Sequence, residues 1–176
     1  MTTNSQRILV TGGGTFIGNY IASALLAEGA DVTLIVRPSL KGGIGVLAQR
    51  ARIVTANVWD TASLRGRGRG HRVVIHTVGS MNADPSQGLT HQRLNAVSAR
   101  NVATMCISDG VPEMILMSAV RAPWVKRKYV QSKREAEEYI QRVGVNSTVV
   151  RAPIAYVRGQ KRPFFFELMT LLGSIP

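Results

Sequence analysis

A tyrosine and a lysine four positions apart are the side chains best suited to chemistry in this sequence. Tyr129 and Lys133 lie one turn apart in a charged segment, 127–142, whose spacing predicts a helix. A positive charge beside a phenol stabilises the phenolate and lowers the pKa of the tyrosine, as a tyrosine acid or base near neutral pH requires. Ser118 ends a predicted strand, 113–118, from which its hydroxyl can reach a substrate carbonyl. Considered alone, a Tyr-x-x-x-Lys pair more often marks a solvated helix face.

A glycine-rich turn near the start of the chain indicates a phosphate-binding site. The β-branched run 7–11 leads into TGGGTFIG, residues 11–18, and an amphipathic segment, 16–28, follows. Glycines permit a tight turn and a close approach of the backbone to a pyrophosphate, and a helix N-terminus offers free N–H groups to an anion. Because the motif stands between a strand and a helix, we expect it to bind a dinucleotide. A plain strand-to-helix turn is the alternative.

The end of the second predicted strand favours NADP(H) over NAD(H). A carboxylate at this point would bind a ribose 2′-hydroxyl, whereas an arginine suits a 2′-phosphate. Here the strand DVTLIV is followed by Arg37, with no acidic residue beside it, and a guanidinium can form paired hydrogen bonds with a phosphate. A surface arginine in a basic protein is the alternative reading.

Strands that alternate with helices position these side chains. This order predicts an α/β fold, a doubly wound parallel sheet with helices on both faces and right-handed crossovers. The predicted strands are residues 7–11, 31–36, 52–55, 72–76, 113–118 and 147–151, and the predicted helices are residues 16–28, 91–108, 127–142 and 164–172. We expect a glycine-containing loop over residues 38–45.

Together these motifs resemble those of atypical and extended short-chain dehydrogenases/reductases, which have an NAD(P)-binding Rossmann fold. TGGGTFIG is similar to the family's TGxxGxxG motif, with Gly12 and Gly18 at the outer positions and Thr15 in place of the middle glycine. Arg151-Ala-Pro153 resembles the RP segment that follows the sixth strand. The segment from Gly159 is similar to one in the subgroup that contains the NAD(P)H-binding accessory subunit of respiratory complex I and its bacterial relatives.

The resemblance implies roles for particular residues. Tyr129 would transfer the proton, Ser118 would polarise the carbonyl and Lys133 would hold the nicotinamide ribose. Asn57 stands where the family has an aspartate near the adenine, and Asn95 where it often has an asparagine. The predicted cofactor-binding residues are Gly12, Gly14, Thr15, Phe16, Ile17, Gly18, Arg37, Asn57, Val58, Thr77, Val78, Gly79, Tyr129, Lys133 and Pro153.

The resemblance also predicts how the chain is organised. It implies one Rossmann domain of six to seven strands, residues 1–160, followed by 161–176 as the start of a truncated C-terminal region. Relatives continue into a smaller substrate-covering domain, which we expect to be largely absent. The apolar tail 163–175 either packs on the sheet or marks a partner surface. A retained catalytic set is compatible with a structural cofactor, as is thought to be the case in the complex I subunit.

The charge of the chain predicts an anionic partner. Lys and Arg number 22 against 10 Asp and Glu, a net charge of +12, which attracts phosphates, nucleic acid, anionic lipid or an acidic protein. RGRGRGHR, residues 65–72, replaces a helical turn of related chains, and we expect that turn to be frayed. With the basic patch 126–128 it suits an acidic protein in a larger assembly or RNA, although no aromatic residue interleaves for base stacking. Solvated loop charge is the alternative.

Several classes of protein are disfavoured by composition. The single cysteine, Cys106, excludes an internal disulfide and fits a reducing compartment, and one Cys with three His disfavours a zinc cluster. No apolar run reaches the roughly 18 residues of a membrane span. No cleavable signal is evident, and the family resemblance allows the mitochondrial matrix or the cytoplasm.

Three hypotheses follow from the sequence. The first is an accessory or assembly protein that holds NADP(H) as a stabilising ligand. The second is an NADP-dependent oxidoreductase that uses Ser118, Tyr129 and Lys133. The third is an RNA-binding protein on a Rossmann scaffold, which binds through the Arg-Gly run.

Overall fold

Six parallel strands form the central sheet of the structure, a computed structural model that describes residues 6–152. In chain order they are β1 (Arg7–Gly13), β2 (Asp31–Val36), β3 (Arg52–Thr55), β4 (Val73–His76), β5 (Glu113–Ala119) and β6 (Ser147–Ala152). Their order in the sheet is β3-β2-β1-β4-β5-β6, and all neighbouring strands are parallel. The predicted doubly wound α/β sheet is confirmed. Successive strands are added in one direction from β1 to β3 and in the other from β4 to β6, and such folds open a crevice at the strands' carboxyl ends where this order reverses, here between β1 and β4.

Helical segments connect the strands. In the described range they are α1 (Phe16–Ala27), α2 (Leu47–Arg50), α3 (Thr61–Leu64), α4 (Ser98–Asp109) and α5 (Arg127–Arg142), with 3₁₀ segments at Pro38–Gly43 and Pro85–Gln87 and a π-helical turn at Gln92–Val97. Two predictions need correction. The segment predicted as a loop after β2 contains a 3₁₀ helix, since Pro38 at its first position presets the backbone. The helix predicted over 91–108 begins as the π-helical turn, which widens the backbone before α4.

The two faces of the sheet bury separate apolar clusters. Alternate residues of one strand point to opposite faces, so Leu9 packs in the cluster under α4 and α5 while Val10 packs in the cluster under α1 and α2. Both side chains are completely buried, as are Val74 and Leu34 on the neighbouring strands. Burial on both faces explains why these strands are continuous apolar runs instead of alternating ones. The two clusters hold the strand ends, and therefore the crevice, in place.

The Arg-Gly segment 65–72 is not helical, as its glycines predict, and it forms a turn that is held by tertiary contacts. Helix α3 ends at Leu64, and the segment continues as non-helical turns to β4. The Gly68 N–H donates to Asp109 Oδ2 at 2.8 Å, and His71 Nε2 lies 2.8 Å from Thr33 Oγ1. Hydrogen bonds to α4 and β2 replace the helical bonds that glycine disfavours, so the turn is held by tertiary contacts.

Some predictions fall on residues that the structure does not describe. Pro153, the region 161–176 and the apolar tail 163–175 lie outside the described residues 6–152. Within that range, no helix is both long and apolar enough to cross a membrane.

Candidate functional site

A cavity of about 450 Å³ opens at the carboxyl ends of the central strands. The glycine turn after β1, the residues that follow β2 and β3, and the loop after β4 line its wall. It lies at the crevice where open parallel sheets bind their ligands. The predicted cofactor-binding residues that line the cavity are Gly12, Thr15, Phe16, Ile17, Arg37, Val58, Thr77, Val78 and Gly79.

The glycine turn is too tight for side chains at any of its four glycines, Gly12, Gly13, Gly14 and Gly18. Gly12 and Gly14 have φ values of +90° and +80°, in the left-handed region that favours glycine. A Cβ on Gly14 would lie 2.4 Å from the Leu40 carbonyl oxygen, and one on Gly18 would lie 2.1 Å from the Gly12 oxygen. Of these glycines, Gly12 lines the cavity, whereas Gly14 and Gly18 do not. Gly14 allows the turn to approach Leu40, and Gly18 allows α1 to approach the Gly12 carbonyl.

Thr15 caps α1 from the position where the family has its middle glycine. Its hydroxyl donates to the Gly12 carbonyl at 2.6 Å and accepts from the Gly18 N–H at 3.4 Å. The N–H groups of Phe16 and Ile17 have no acceptor among the described residues, and both residues line the cavity. Free N–H groups and the positive end of the helix dipole make this turn suitable for a pyrophosphate. Thr15, which replaces the middle glycine of the motif, therefore serves as the N-cap of α1.

Arg37 and Trp59 leave two buried donors unpaired at the β2–β3 end of the cavity. The Nε of Arg37 and the Nε1 of Trp59 are buried and have no hydrogen-bond partner, and the Arg37 guanidinium carbon lies 5.3 Å from the centre of the indole. An unsatisfied buried donor costs about 1–3 kcal/mol, so a ligand with acceptor atoms fits here. Sequence reasoning missed Trp59, whose only signal is its place shortly after the third strand.

Asn57 shapes the turn beside this site without lining the cavity. Its Oδ1 accepts from the Trp59 N–H at 3.1 Å, and its own N–H donates to Ser63 Oγ at 2.9 Å. The predicted contact of Asn57 with the adenine therefore stays a prediction. In the structure, the residue places Val58 and Trp59 on the cavity wall.

Lys133 is buried and bonded to two strand ends. Lys133 is only 2% exposed to solvent. Its Nζ donates to the carbonyls of Met117 at 2.8 Å and Val78 at 3.3 Å. Burial lowers the pKa of Lys133 to about 8, against the opposing effect of the Glu137 carboxylate. The ammonium group thus joins the end of β5 to the loop after β4. It lies behind the cavity wall, because Val78 but not Lys133 lines the cavity.

Tyr129 is half-buried on the first turn of α5. Its ring centre lies 6.4 Å from that of His91, a neighbour that sequence reasoning missed. Burial raises the pKa of Tyr129 above its ordinary value, so the predicted lowering by Lys133 is wrong for this structure. The physical reason is that the phenol is partly removed from water while the Lys133 ammonium group is directed to backbone carbonyls.

Ser118 belongs to a cluster centred on Glu137. The Ser118 hydroxyl donates to Glu137 Oε1, and the guanidinium groups of Arg134 and Arg151 pair with the same carboxylate. Partial burial opposes ionisation, but hydrogen bonds from Arg151 and Ser118 and the charge of Arg134 hold the pKa of Glu137 below its ordinary value. Ser118, Tyr129 and Lys133 are absent from the lining of the cavity. Their catalytic roles stay predictions.

The sheet order, the glycine turn and the cavity define a Rossmann-type dinucleotide-binding domain. The chain belongs to the NAD(P)H-binding domain family, whose sequence profile matches residues 12–162. The prediction of an NAD(P)-binding protein of the short-chain dehydrogenase/reductase type is confirmed, and a nicotinamide dinucleotide is the ligand that this family binds.

Solved structures have the same fold. The UDP-Glc/GlcNAc 4-epimerase of Campylobacter jejuni is 20% identical, with a TM-score of 0.70 over 95% of this chain and 61% of the epimerase. The enzyme WbmG of Bordetella bronchiseptica in complex with NAD is 19% identical, with a TM-score of 0.68 over 85% of this chain and 54% of WbmG. At these identities the likeness establishes the fold.

A viral protein is similar in sequence. Uncharacterized protein 052L of frog virus 3 (isolate Goorha) is 26% identical over 121 residues, which are 65% of this chain and 33% of the viral protein. The chain therefore spans about a third of this curated relative and little more than half of the structural relatives.

Proposed function

We propose that this protein binds NADP(H) as a stabilising ligand within a larger assembly, in the manner of the complex I accessory subunit that its sequence resembles. One contrast supports the proposal. The cavity is lined by residues suited to a dinucleotide, whereas Ser118 and Lys133 are hydrogen-bonded to the protein itself. Residues suited to binding therefore line the cavity, while none of the three predicted catalytic residues does, and two of these three are hydrogen-bonded to other parts of the protein.

Three parts of the cavity would hold three parts of the cofactor. The turn Gly12 to Thr15 and the free N–H groups at the start of α1 suit the pyrophosphate. Arg37 suits an acidic group on the adenosine ribose. The backbone at Thr77 and Gly79 lies at the remaining wall, where the nicotinamide half would lie. The nicotinamide supplies hydride-transfer chemistry when a substrate is present.

Titration with NADPH and NADH tests the proposal. We expect NADPH to bind more tightly than NADH at both low and moderate salt and to raise the midpoint of thermal unfolding. Ligand at 100 times its Kd stabilises a fold by about 2.7 kcal/mol. Nicotinamide fluorescence reports the binding, and Arg37→Gln should reduce the preference. Failure of both dinucleotides to bind would refute the proposal.

An NADP-dependent oxidoreductase is the second candidate. One observation favours it: the Tyr129 hydroxyl, half-buried on α5, has no hydrogen-bond partner among residues 6–152. If the protein turns over carbonyl substrates with NADPH, Tyr129→Phe should abolish the reaction. Tyr139→Phe is the matched control, because Tyr139 lies on the same helix with its hydroxyl near Thr104. NADPH consumption that survives in Tyr129→Phe would exclude this mechanism.

RNA binding through the Arg-Gly turn is the third candidate. The turn is fixed to the fold, and its arginines Arg65, Arg67 and Arg72 are exposed. We expect labelled single-stranded RNA to bind with a steep salt dependence, and replacement of Arg65, Arg67 and Arg69 by Ala to reduce the slope of log K against log salt by about 2. Equal binding by the triple variant would exclude it. The same basic surface and the patch 126–128 also suit an acidic protein of the assembly. The apolar tail 163–175 suits an apolar surface of a protein partner.

A further inference from the structure

Two arginines from different parts of the chain meet at one tryptophan. The guanidinium carbon of Arg37, which follows β2, lies 5.3 Å from the centre of the Trp59 indole. That of Arg93, in the π-helical turn before α4, lies 5.7 Å from the same centre. Aromatic faces attract guanidinium groups at such distances. Two cations are thereby gathered at the β2–β3 end of the cavity, which Trp59 and Arg37 line.

This cluster has positive charge without a matching carboxylate. The ion pairs among the described residues involve Arg69, Arg134 and Arg151, and none involves Arg37 or Arg93. Arg93 donates one hydrogen bond, from Nη1 to the Gly88 carbonyl at 3.3 Å, which leaves most of its donors available. The two guanidinium carbons lie 5.3 and 5.7 Å from the same indole centre, so an anion bound beside this ring is attracted by two positive charges. The geometry therefore favours a ligand with negative charge.

The unpaired donors point to the same ligand chemistry. Arg37 Nε and Trp59 Nε1 are buried and lack acceptors, so the cluster offers N–H groups from two side chains in addition to two charges. A phosphate monoester has three acceptor oxygens and a charge of about −1.5 to −2 at pH 7. One arginine neutralises only part of that charge, whereas two arginines match it.

We propose that Arg93 and Trp59 complete, with Arg37, a subsite for a phosphate monoester on the adenosine ribose of the dinucleotide. This inference rests on the proposed NADP(H)-binding function and extends it to two residues. Arg93 supplies the second positive charge. Trp59 positions both guanidinium groups through its face and offers its indole N–H to an acceptor.

Adenosine nucleotides with and without the additional phosphate test the subsite. We expect Arg93→Gln to weaken the binding of NADPH and of adenosine 2′,5′-bisphosphate by about tenfold, the effect of one charge-assisted hydrogen bond, and to leave NADH and 5′-AMP unchanged. Arg100→Gln is the matched control. Arg100 belongs to α4 and stacks on Tyr139 at 4.9 Å, away from the cavity lining, so its loss should change none of the four affinities.

A fluorescence measurement isolates the tryptophan. In a Trp124→Phe background, Trp59 is the one remaining tryptophan of the two in the chain, and its emission should change on addition of the bisphosphate. Trp59→Phe retains an aromatic ring for both guanidinium groups but removes the indole N–H. It should therefore weaken the binding of the bisphosphate less than Trp59→Leu does. Near-ultraviolet circular dichroism verifies that each variant is folded.

The possible outcomes separate this inference from the proposed function. Failure of all four nucleotides to bind would overturn both. Binding of NADH and NADPH that Arg93→Gln weakens equally, or leaves unchanged, would overturn the subsite and retain the dinucleotide site. Selective loss of the phosphorylated ligands in Arg93→Gln, but not in Arg100→Gln, is the result that supports the subsite.

Discussion

Lys133 is a single side chain that joins two strand ends behind the cavity wall. Its ammonium group joins the carbonyl of Met117 on β5 to that of Val78 after β4. Gly79 must remain without a side chain, because a Cβ there would lie 2.5 Å from both Lys133 Nζ and Asn95 Oδ1. Asn95 accepts from the Ser80 N–H at 3.0 Å. A lysine and an asparagine thus hold the backbone of the loop after β4, where Val78, Gly79 and Ser80 line the cavity.

The buried charge of Lys133 predicts a stability that rises with pH. Its pKa is about 8 in the folded chain against 10.5 ordinarily, so between these values the unfolded chain binds a proton that the folded chain has released. Stability should rise through this window by about 3 kcal/mol in total. Urea unfolding at pH 7.5 and 10 measures the rise, which Lys133→Met should remove. Lys128→Met, an exposed lysine of α5, is the control, and an unchanged rise in Lys133→Met would contradict the assignment.

Replacement of Gly18 by Ala tests the tightness of the glycine turn. The added Cβ would meet the Gly12 carbonyl oxygen at 2.1 Å, so α1 must shift away from the turn. We expect a loss of about 1–3 kcal/mol in the free energy of unfolding together with weaker dinucleotide binding. Gly42→Ala has no neighbour within 4 Å of the new Cβ and should change neither quantity. Chemical denaturation and nucleotide titration measure both quantities in the two variants. Equal stability and equal binding in Gly18→Ala and Gly42→Ala would show that the turn accepts a side chain at Gly18.

The Glu137 carboxylate joins three elements of the fold. Ser118 reaches it from β5, Arg151 from β6 and Arg134 from α5. Ser118 and Arg151 are register partners on the two strands, so the carboxylate bridges a strand pair and the helix above it. The hydroxyl of Ser118, near the end of β5, is therefore engaged by Glu137, and Ser118 does not line the cavity. It also anchors β6 at the edge of the described sheet.

Replacement of Glu137 by Gln should loosen β6. The neutral amide loses the charge-assisted bonds to both arginines, and exposure of the arginines limits the cost to about 1–2 kcal/mol. Hydrogen exchange should increase in β6 more than in β1. Because the pKa of Glu137 is held low, its contribution is present at neutral pH and lost as the carboxylate is protonated on acidification, so the difference between wild type and variant should shrink at low pH. Glu138→Gln, its exposed neighbour, should leave exchange unchanged. Equal protection of β6 in both variants would contradict the anchoring role.

The molecule as a whole has a large excess of positive charge, and this charge is not what holds the fold together. The net charge is +12, while the two buried clusters that hold the sheet together are apolar. Charge and fold are therefore separate properties: burial stabilises the sheet, and the basic surface determines what the protein attracts. The Arg-Gly turn shows the separation, because its backbone is tied to the fold while its arginines face solvent.

Salt should stabilise the protein in the absence of ligand. Self-repulsion at +12 destabilises the compact state, and raising NaCl from about 10 to 300 mM shortens the screening length from about 30 Å to less than 8 Å. The midpoint of thermal unfolding should therefore rise with salt. Changing Arg65, Arg67 and Arg72 to Ala reduces the net charge to +9 (12 − 3) and should reduce the rise. A midpoint that falls with salt would mean that attractive ion pairs outweigh the repulsion.

Local patterns were sufficient to predict the sheet, the glycine turn and the helix that contains Tyr129 and Lys133. Hydrophobic runs and glycines determine the conformation of the adjacent backbone, so the elements they form can be predicted from the sequence without knowledge of long-range contacts. A reversal of strand order follows from helices on both faces joined by right-handed crossovers, and the structure places it between β1 and β4. Many of the predicted residues that line the cavity, such as Arg37 and Val78, directly follow a strand, so the end of that strand fixes where they lie.

Tertiary structure alone decided which atoms these side chains bond. Ser118 was predicted to face a substrate but pairs with Glu137, and Lys133 was predicted to lower the pKa of Tyr129 but binds two carbonyls. Trp59 and Arg93 are remote in sequence but meet because the loop after β3 is held against α4, where Asn101 Nδ2 donates to the Val58 carbonyl. Hydrogen bonds and charge contacts depend on side-chain direction and on distances of a few ångströms between remote residues, and sequence spacing contains neither.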